Sequence, residues 1–184
     1  MIVLVTGASG FVGSAISEAL CARGIPVVGL DRQPPRHNWP GFDFVTADLR
    51  DQASLDTALS GRSLTHMIHA AALTPDAAFE EANPDLVLDV NLLGSVRLLQ
   101  AAKTAGIRRL LQLSSIAVYG NAAPEPDGLY HEDRTTPAPQ TLYGIGKYAG
   151  EMSLRRLAPA AGIDLSILRL GPIFGPHERA SDSR

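Results

Sequence analysis

Tyr143 and Lys147 lie four residues apart in the segment YGIGK, inside a stretch with the apolar pattern of a helix. That spacing places both side chains on one helix face, one turn apart. A free tyrosine, with a pKa of about 10, is a weak base at neutral pH. A nearby ammonium favours the phenolate, so we expect Lys147 to lower the pKa of Tyr143.

Ser115 follows an apolar, strand-like run in LLQLSSIAVYG, and its hydroxyl can hydrogen-bond a substrate oxygen. Ser115, Tyr143 and Lys147 together predict a site that transfers a proton at a carbon bearing an alcohol or a ketone. The Lys147 side chain is also long enough for its ammonium to reach the ribose hydroxyls of a bound nucleotide.

A glycine-rich turn, TGASGFVG, joins the first apolar run to the first helical stretch. Its spacing is GxxGxxG rather than the common GxGxxG. Gly7 allows a tight turn, Gly10 lets a pyrophosphate approach the backbone, and Gly13 lets the helix pack closely on the sheet. The free N–H groups and the positive end of the helix dipole favour phosphate there.

Asp31 comes 18 residues after Gly13, at the end of the second apolar run. A carboxylate at that place accepts hydrogen bonds from both ribose hydroxyls of adenosine and repels a 2′-phosphate. Asp31 therefore favours NAD over NADP. Arg32 keeps the alternative open, because a guanidinium beside this site can hold a phosphate.

Short apolar runs alternate with stretches of helical periodicity along the chain. The predicted strands cover residues 2–5, 26–30, 42–46, 65–70, 108–114 and 164–170. The predicted helices cover residues 11–22, 84–105 and 142–161, and residues 54–59 are the predicted centre of a further short helix. The segments 74–83 and 120–140 are predicted to be loops. This alternation predicts a parallel, doubly wound sheet in a three-layer α/β/α Rossmann fold.

Composition limits the possible classes of protein. The 184 residues suit one globular domain, and the net charge of −3 argues against a nucleic-acid or membrane-surface partner. No apolar run is long enough to predict a membrane-spanning helix, so we expect a cytoplasmic protein. Cys21 is the single cysteine, and the five histidines lack metal-ligand spacing, so we expect neither an internal disulfide nor a metal site.

The chain resembles an extended short-chain dehydrogenase/reductase of the NAD-dependent epimerase/dehydratase family. The matching motifs follow the family's order over nearly the whole chain: TGASGFVG, Asp31, ADL at 47–49, HAAA at 69–72, Asn91, SSIAVYG, YGIGK and RLGPIFGP at 169–176.

The resemblance implies that Tyr143 is the general base or acid, that Lys147 orients the nicotinamide ribose, and that Ser115 polarises the reacting oxygen, with Ser114 as a second candidate. It implies that Asp48 and Leu49 hold the adenine, that the alanines after His69 line the middle of the cofactor, and that Asn91 helps to fix the active-site helix. The predicted cofactor-binding residues are Gly7, Ser9, Gly10, Phe11, Val12, Gly13, Asp31, Arg32, Asp48, Leu49, Ala70, Ala71, Ala72, Asn91, Tyr143 and Lys147.

Two departures from the family pattern affect the expected substrate. Pro172 stands where members that act on nucleotide sugars often carry asparagine, which gives weight to a free sugar acid or another small hydroxy compound. Family members also continue beyond this length, so we expect residues 1–176 to form an NAD-binding domain. We expect 177–184 to be a polar tail at the start of a substrate region.

Three hypotheses follow. The chain is an NAD-dependent epimerase, dehydratase or dehydrogenase that acts on a sugar or sugar derivative; it is a dinucleotide-binding module without turnover of its own; or it is a scaffold that keeps the fold alone. The joint presence of Ser115, Tyr143 and Lys147 argues against the scaffold. The resemblance also implies a homodimer formed by helices 84–105 and 142–161.

Overall fold

The computed structural model describes residues 1–176 and residue 178. Its centre is a six-stranded parallel sheet with the strand order β3-β2-β1-β4-β5-β6. The strands are β1 (Val3–Thr6), β2 (Val27–Asp31), β3 (Phe42–Thr46), β4 (His66–His69), β5 (Arg109–Ser115) and β6 (Asp164–Leu170). The reversal of strand order at β1 and β4 defines the doubly wound Rossmann fold, so the predicted fold class is confirmed.

Helices cover both faces of the sheet. They are α1 (Phe11–Cys21), α2 (Gln52–Leu59), α3 (Ala77–Ala82), α4 (Pro84–Leu88), α5 (Gly94–Thr104) and α6 (Leu142–Ala161). Because successive strand residues point to opposite faces, β1 supplies two cores. Val3 and Val5 pack beneath α1, whereas Leu4 belongs to a larger core with Leu98 of α5 and Leu154 of α6.

The predicted bounds of β3, α6 and β6 match the structure, and the other strands differ by one residue at each end. Local caps explain the match at α6. Thr141 Oγ1 accepts a hydrogen bond from the Gly144 N–H at the start, and Gly162 adopts a left-handed φ of 69° at the end. Both are standard helix boundary residues.

Two predictions for the segment after β4 need correction. The predicted loop at 74–83 contains the short helix α3, which begins at Ala77 directly after Asp76, whose carboxylate caps the Phe79 N–H. The single predicted helix at 84–105 instead contains a π-helical turn, Asp89–Leu93, between α4 and α5. Such turns change the direction of side chains, and this one includes Asn91.

The predicted loop at 120–140 is confirmed: the structure has neither helix nor strand there, and one isolated bridge joins Gly120 to Ala138. The predicted tail at 177–184 lies outside the described residues except for Glu178. Among the described residues, no helix has both the length and the apolar character needed to cross a bilayer.

Candidate active site

A cleft of about 1020 Å³ lies at the carboxyl ends of the strands, where ligands bind in open α/β sheets. The strand order places Asp31 at the end of β2, the glycine turn after β1, Ala70 after β4 and Ser115 at the end of β5. Neighbouring strands are about 4.8 Å apart, so these groups form one row long enough for two joined nucleotides.

The glycine turn forms the floor of the cleft. Gly7 has a φ of 70°, and a Cβ added to it would lie 2.8 Å from Ala71 Cα. A Cβ on Gly13 would lie 2.0 Å from Gly7 O, so the start of α1 packs directly on the turn. Gly10, the N-cap residue of α1, carries no side chain and donates its own N–H to Gly7 O, so the N-terminus of α1 beyond it forms an open cradle in the cleft. This cradle fits a pyrophosphate.

Asp31 is fixed at the opposite end of the row from Ser115. Its carboxylate accepts hydrogen bonds from the N–H groups of Ser9, at 3.1 Å, and Gln33, at 3.2 Å. Asp31 also lines the cleft, where its carboxylate can accept hydrogen bonds from ribose hydroxyls.

The other predicted residues at the adenosine end also line the cleft. Arg32 lies 4.0 Å from Asp48, and Asp48 forms a tighter ion pair with Arg50 at 2.6 Å. The hydrogen bonds from Arg50 hold the pKa of Asp48 below its usual range. The negative charge of Asp48 therefore attracts the Arg32 guanidinium at the rim of the adenosine end of the cleft.

Ser115 and Ser114 have different roles in the structure. Ser115 lies at the carboxyl end of β5, where its Oγ accepts a hydrogen bond from Ala117 N–H, and it interacts with the Tyr143 phenol. Ser114 is buried and donates a 2.5 Å hydrogen bond to Glu151. Of the two serines, the structure therefore pairs Ser115, and not Ser114, with the Tyr143 phenol.

Tyr143 and Lys147 share one face of α6 and both line the cleft. The Lys147 ammonium lies 5.9 Å from the centre of the Tyr143 ring and donates a 2.9 Å hydrogen bond to Leu113 O. The expected lowering of the Tyr143 pKa is wrong here: burial raises it, and the interaction with Ser115 opposes that rise only in part. Burial also lowers the pKa of Lys147 to about 8, partly opposed by Glu151.

A buried ion pair lies one helical turn beyond Lys147. Glu151 accepts hydrogen bonds from Arg169 at 3.0 and 2.7 Å, and both side chains are nearly inaccessible to solvent. Arg169 also donates to the Tyr119 hydroxyl at 2.9 Å and lies over the Tyr119 ring. The sequence reasoning missed this pair, because Arg169 lies on β6 and no local pattern joins it to Glu151 of α6.

Two predicted cofactor-binding residues do not line the cleft. The Ser9 N–H donates to Asp31 and its hydroxyl donates to Gln33 O, so both groups bond the segment at the end of β2. Asn91 is buried in the π-helical turn, where its side-chain amide bonds both the N–H and the carbonyl of Leu73. Its Cβ also lies 3.1 Å from the position that a Cβ on Gly146 of α6 would take, consistent with its expected role of fixing that helix.

The other predicted residues all line the cleft. They are Gly7, Gly10, Phe11, Val12, Gly13, Asp31, Arg32, Asp48, Leu49, Ala70, Ala71, Ala72, Ser115, Tyr143 and Lys147. Pro172 lines it too, together with Thr74 and Phe79, which the sequence reasoning did not select.

His69 is a buried link between elements. Ser95 Oγ donates to Asn91 O, so it accepts from His69 Nε2–H at 3.0 Å. Nδ1 is then the acceptor and receives the Thr6 hydroxyl at 2.8 Å. Burial lowers the pKa of His69 to about 3. Both of its ring partners are therefore side-chain hydroxyls. No group of three or more potential metal ligands occurs among the described residues.

Glu80 was not selected as a site residue from the sequence, yet its carboxylate accepts hydrogen bonds from the N–H groups of Leu142 and Tyr143 at the start of α6. No local pattern could reveal this contact, because the partners are more than 60 residues apart in the chain.

The sheet order, the glycine turn and the acid at the end of β2 define a dinucleotide-binding protein of the Rossmann class. The NAD dependent epimerase/dehydratase family model matches residues 3–184. The chain belongs to this family, and NAD, the predicted cofactor, is confirmed as the cofactor of the family.

Characterised relatives are similar over most of this chain. The UDP-glucose 4-epimerase of Mycolicibacterium smegmatis is 35% identical over 95% of the chain and 57% of its own length. The dTDP-L-rhamnose 4-epimerase of Burkholderia thailandensis is 32% identical over 98% of the chain and 60% of its own length. The Thermus thermophilus UDP-glucose 4-epimerase, solved in complex with NAD, superposes with a TM-score of 0.84 at 35% identity, over 97% of this chain and 58% of that one. The chain therefore spans less than two thirds of the length of these relatives.

Proposed function

We propose that this chain binds NAD in the cleft and, in its whole protein, interconverts a hydroxyl and a keto group on a sugar derivative. One observation carries the proposal: the glycine turn, Asp31 and the triad of Ser115, Tyr143 and Lys147 line a single cleft. Asp31 would hold the adenosine ribose, the turn would hold the pyrophosphate, and Lys147 would reach the second ribose. When bound, NAD accepts a hydride from the substrate carbon and can return it.

Ser115 and Tyr143 handle the proton that accompanies this hydride. The Ser115 hydroxyl holds the reacting oxygen, and Tyr143 exchanges a proton with it. The raised pKa keeps Tyr143 protonated at neutral pH, so it is prepared to protonate a carbonyl oxygen. In the reverse direction Tyr143 acts as a base, and the positive charge of Lys147 favours its phenolate. With a pKa of about 8, Lys147 is mostly charged at pH 7.

The relatives favour a nucleotide sugar as substrate, because their names specify UDP-glucose, UDP-glucuronate and dTDP-L-rhamnose. Pro172 favours the second candidate, a free sugar acid or a small hydroxy compound. Pro172 lines the cleft but has neither an amide side chain nor a backbone N–H to offer a nucleotide sugar. Steady-state turnover on matched UDP-sugars and free sugar acids separates the two candidates.

The alternative is a dinucleotide-binding module that does not turn over substrate by itself. NADH fluorescence titration combined with a turnover screen distinguishes it from the enzyme. Binding with turnover supports the enzyme, binding without any turnover supports the module, and failure to bind NADH contradicts both. NADPH titrations test the role of Asp31: wild type should prefer NADH, and Asp31→Ser should reduce that preference at least about tenfold because the repelling carboxylate is gone.

A homodimer is part of the proposal. The π-helical turn and α6 expose large apolar side chains to solvent, namely Leu93, Ile145, Met152 and Leu157. The resemblance implies that these helices pair with those of a second copy. Sedimentation should show a dimer that Met152→Glu converts to monomer, and a monomeric wild type at micromolar concentration would contradict this assembly.

A further inference from the structure

Glu80 bonds the start of the helix that carries Tyr143. Glu80 Oε1 accepts a 2.8 Å hydrogen bond from Tyr143 N–H, and Oε2 accepts a 3.0 Å bond from Leu142 N–H. Thr141 Oγ1 accepts the Gly144 N–H at 3.0 Å. The first N–H groups of a helix have no acceptor within that helix. Two side chains from different parts of the chain therefore satisfy three of them.

The segment that carries Glu80 also forms a wall of the cleft. Thr74 and Phe79 line the cleft, and Phe79 is the residue directly before Glu80 on α3. Asp76 caps α3, so the segment has its own local structure. Glu80 belongs to this wall, and its carboxylate bonds the Tyr143 N–H. A displacement of the wall would therefore pull on the backbone of Tyr143.

We propose that Glu80 is a positioning residue for Tyr143, and that it couples the Thr74–Phe79 wall of the cleft to the proton-transferring phenol. The inference rests on the proposed function of Tyr143. A carboxylate suits this place because its charge is stabilised by the positive end of the α6 dipole. Because Glu80 belongs to the cleft wall, it also links the position of the Tyr143 phenol to the shape of the occupied cleft. Thr141 cannot provide this link, because it lies at the start of α6 itself.

Amide hydrogen exchange by NMR tests the contact directly. Glu80→Ala should speed exchange at Leu142 and Tyr143 by at least about tenfold, because both acceptors are lost. Gly144 should keep its rate, since Thr141 still accepts its N–H. Glu80→Gln keeps one acceptor oxygen and should protect one of the two N–H groups. The control is Glu81→Ala, an exposed neighbour on the same helix, which should change neither rate.

Kinetics test the positioning role. Glu80→Ala should lower kcat about tenfold while KM and the NADH dissociation constant stay within about twofold, because misplacing a catalytic group affects mainly the chemical step. Unchanged exchange at Leu142 and Tyr143, or an unchanged kcat, would overturn the proposal. Absence of turnover in the whole wild-type protein would contradict the proposed function instead, and the exchange rates alone would then decide whether Glu80 fixes Tyr143.

Discussion

The Lys147 ammonium donates a 2.9 Å hydrogen bond to the backbone carbonyl of Leu113, two residues before Ser115. This bond ties α6 to the end of β5 and sets the position of Tyr143 relative to Ser115. It also holds a buried cation 5.9 Å from the centre of the Tyr143 ring. Burial of that cation has a cost that can be measured.

Replacing Lys147 with Met should stabilise the fold at pH 7 by about 2 kcal/mol. Burial lowers the pKa of Lys147 from 10.5 to about 8, so the charged lysine costs the folded state about 3 kcal/mol. The variant avoids this cost but loses the hydrogen bond to Leu113 O, which offsets about 1 kcal/mol of the gain in stability. Between pH 8 and 10.5 the unfolded chain binds more protons than the folded one, so the wild-type penalty is full below pH 8 and fades above it.

Urea denaturation at pH 7, 8.5 and 10 measures this difference, which should shrink as the pH rises. The matched control is Lys103→Met, which changes the other lysine of the chain at an exposed position and should leave the free energy of unfolding nearly unchanged. A Lys147→Met variant that is less stable than wild type at pH 7 would contradict the inferred cost.

His69 should make the fold sensitive to acid. Its folded-state pKa is about 3, below the ordinary value of 6.5, so the unfolded chain binds an extra proton between these values. Stability due to His69 is complete above pH 6.5 and falls by about 1.4 kcal/mol per pH unit below it.

The His69→Gln variant should be less stable at pH 7, since it loses a packed group between Thr6 and Ser95. The difference in the free energy of unfolding between wild type and this variant should narrow as the pH falls from 6.5 to 4. Chemical denaturation over that range measures both curves. A gap of constant size would show that the imidazole takes up no proton on unfolding.

Gly10 and Gly13 should respond differently to alanine. A Cβ on Gly13 would lie 2.0 Å from Gly7 O, whereas one on Gly10 would lie 3.2 Å from the same atom. Gly13→Ala should therefore destabilise the fold by about 3 kcal/mol or more. Gly10→Ala should fold but lose at least about tenfold in NADH affinity, because its methyl group covers the phosphate cradle. Thermal melts and NADH fluorescence measure the two effects, and equal NADH affinity for Gly10→Ala and wild type would place the phosphates elsewhere.

Sequence patterns predicted the parts of the fold that depend on local chemistry. Thr141 and Gly162 mark the ends of α6 by their own preferences, and the row of glycines requires a close turn wherever it occurs. The same local logic failed for Ser9 and Asn91, because lying within a motif does not decide which way a side chain points. Ser9 turns to Gln33, and the π-helical turn holds Asn91 against Leu73.

The electrostatics of the site depended on distances that the sequence does not contain. The spacing of Tyr143 and Lys147 predicted a lowered tyrosine pKa, but the ammonium bonds Leu113 and the effect of burial on Tyr143 dominates. Glu80 and Arg169 contact α6 from other parts of the chain, so only the folded structure reveals them. Neither the cap nor the buried pair has a local motif.

The most direct test of the proposed function is Tyr143→Phe, which removes only the phenol oxygen. Turnover on the nucleotide sugar or sugar acid that wild type accepts should fall by at least about a hundredfold, the usual effect of losing a general acid or base. NADH affinity should stay within about twofold, because the glycine turn and Asp31 are unchanged. Turnover equal to that of wild type, measured at equal NADH occupancy, would contradict the assignment of Tyr143 as the proton-transferring residue.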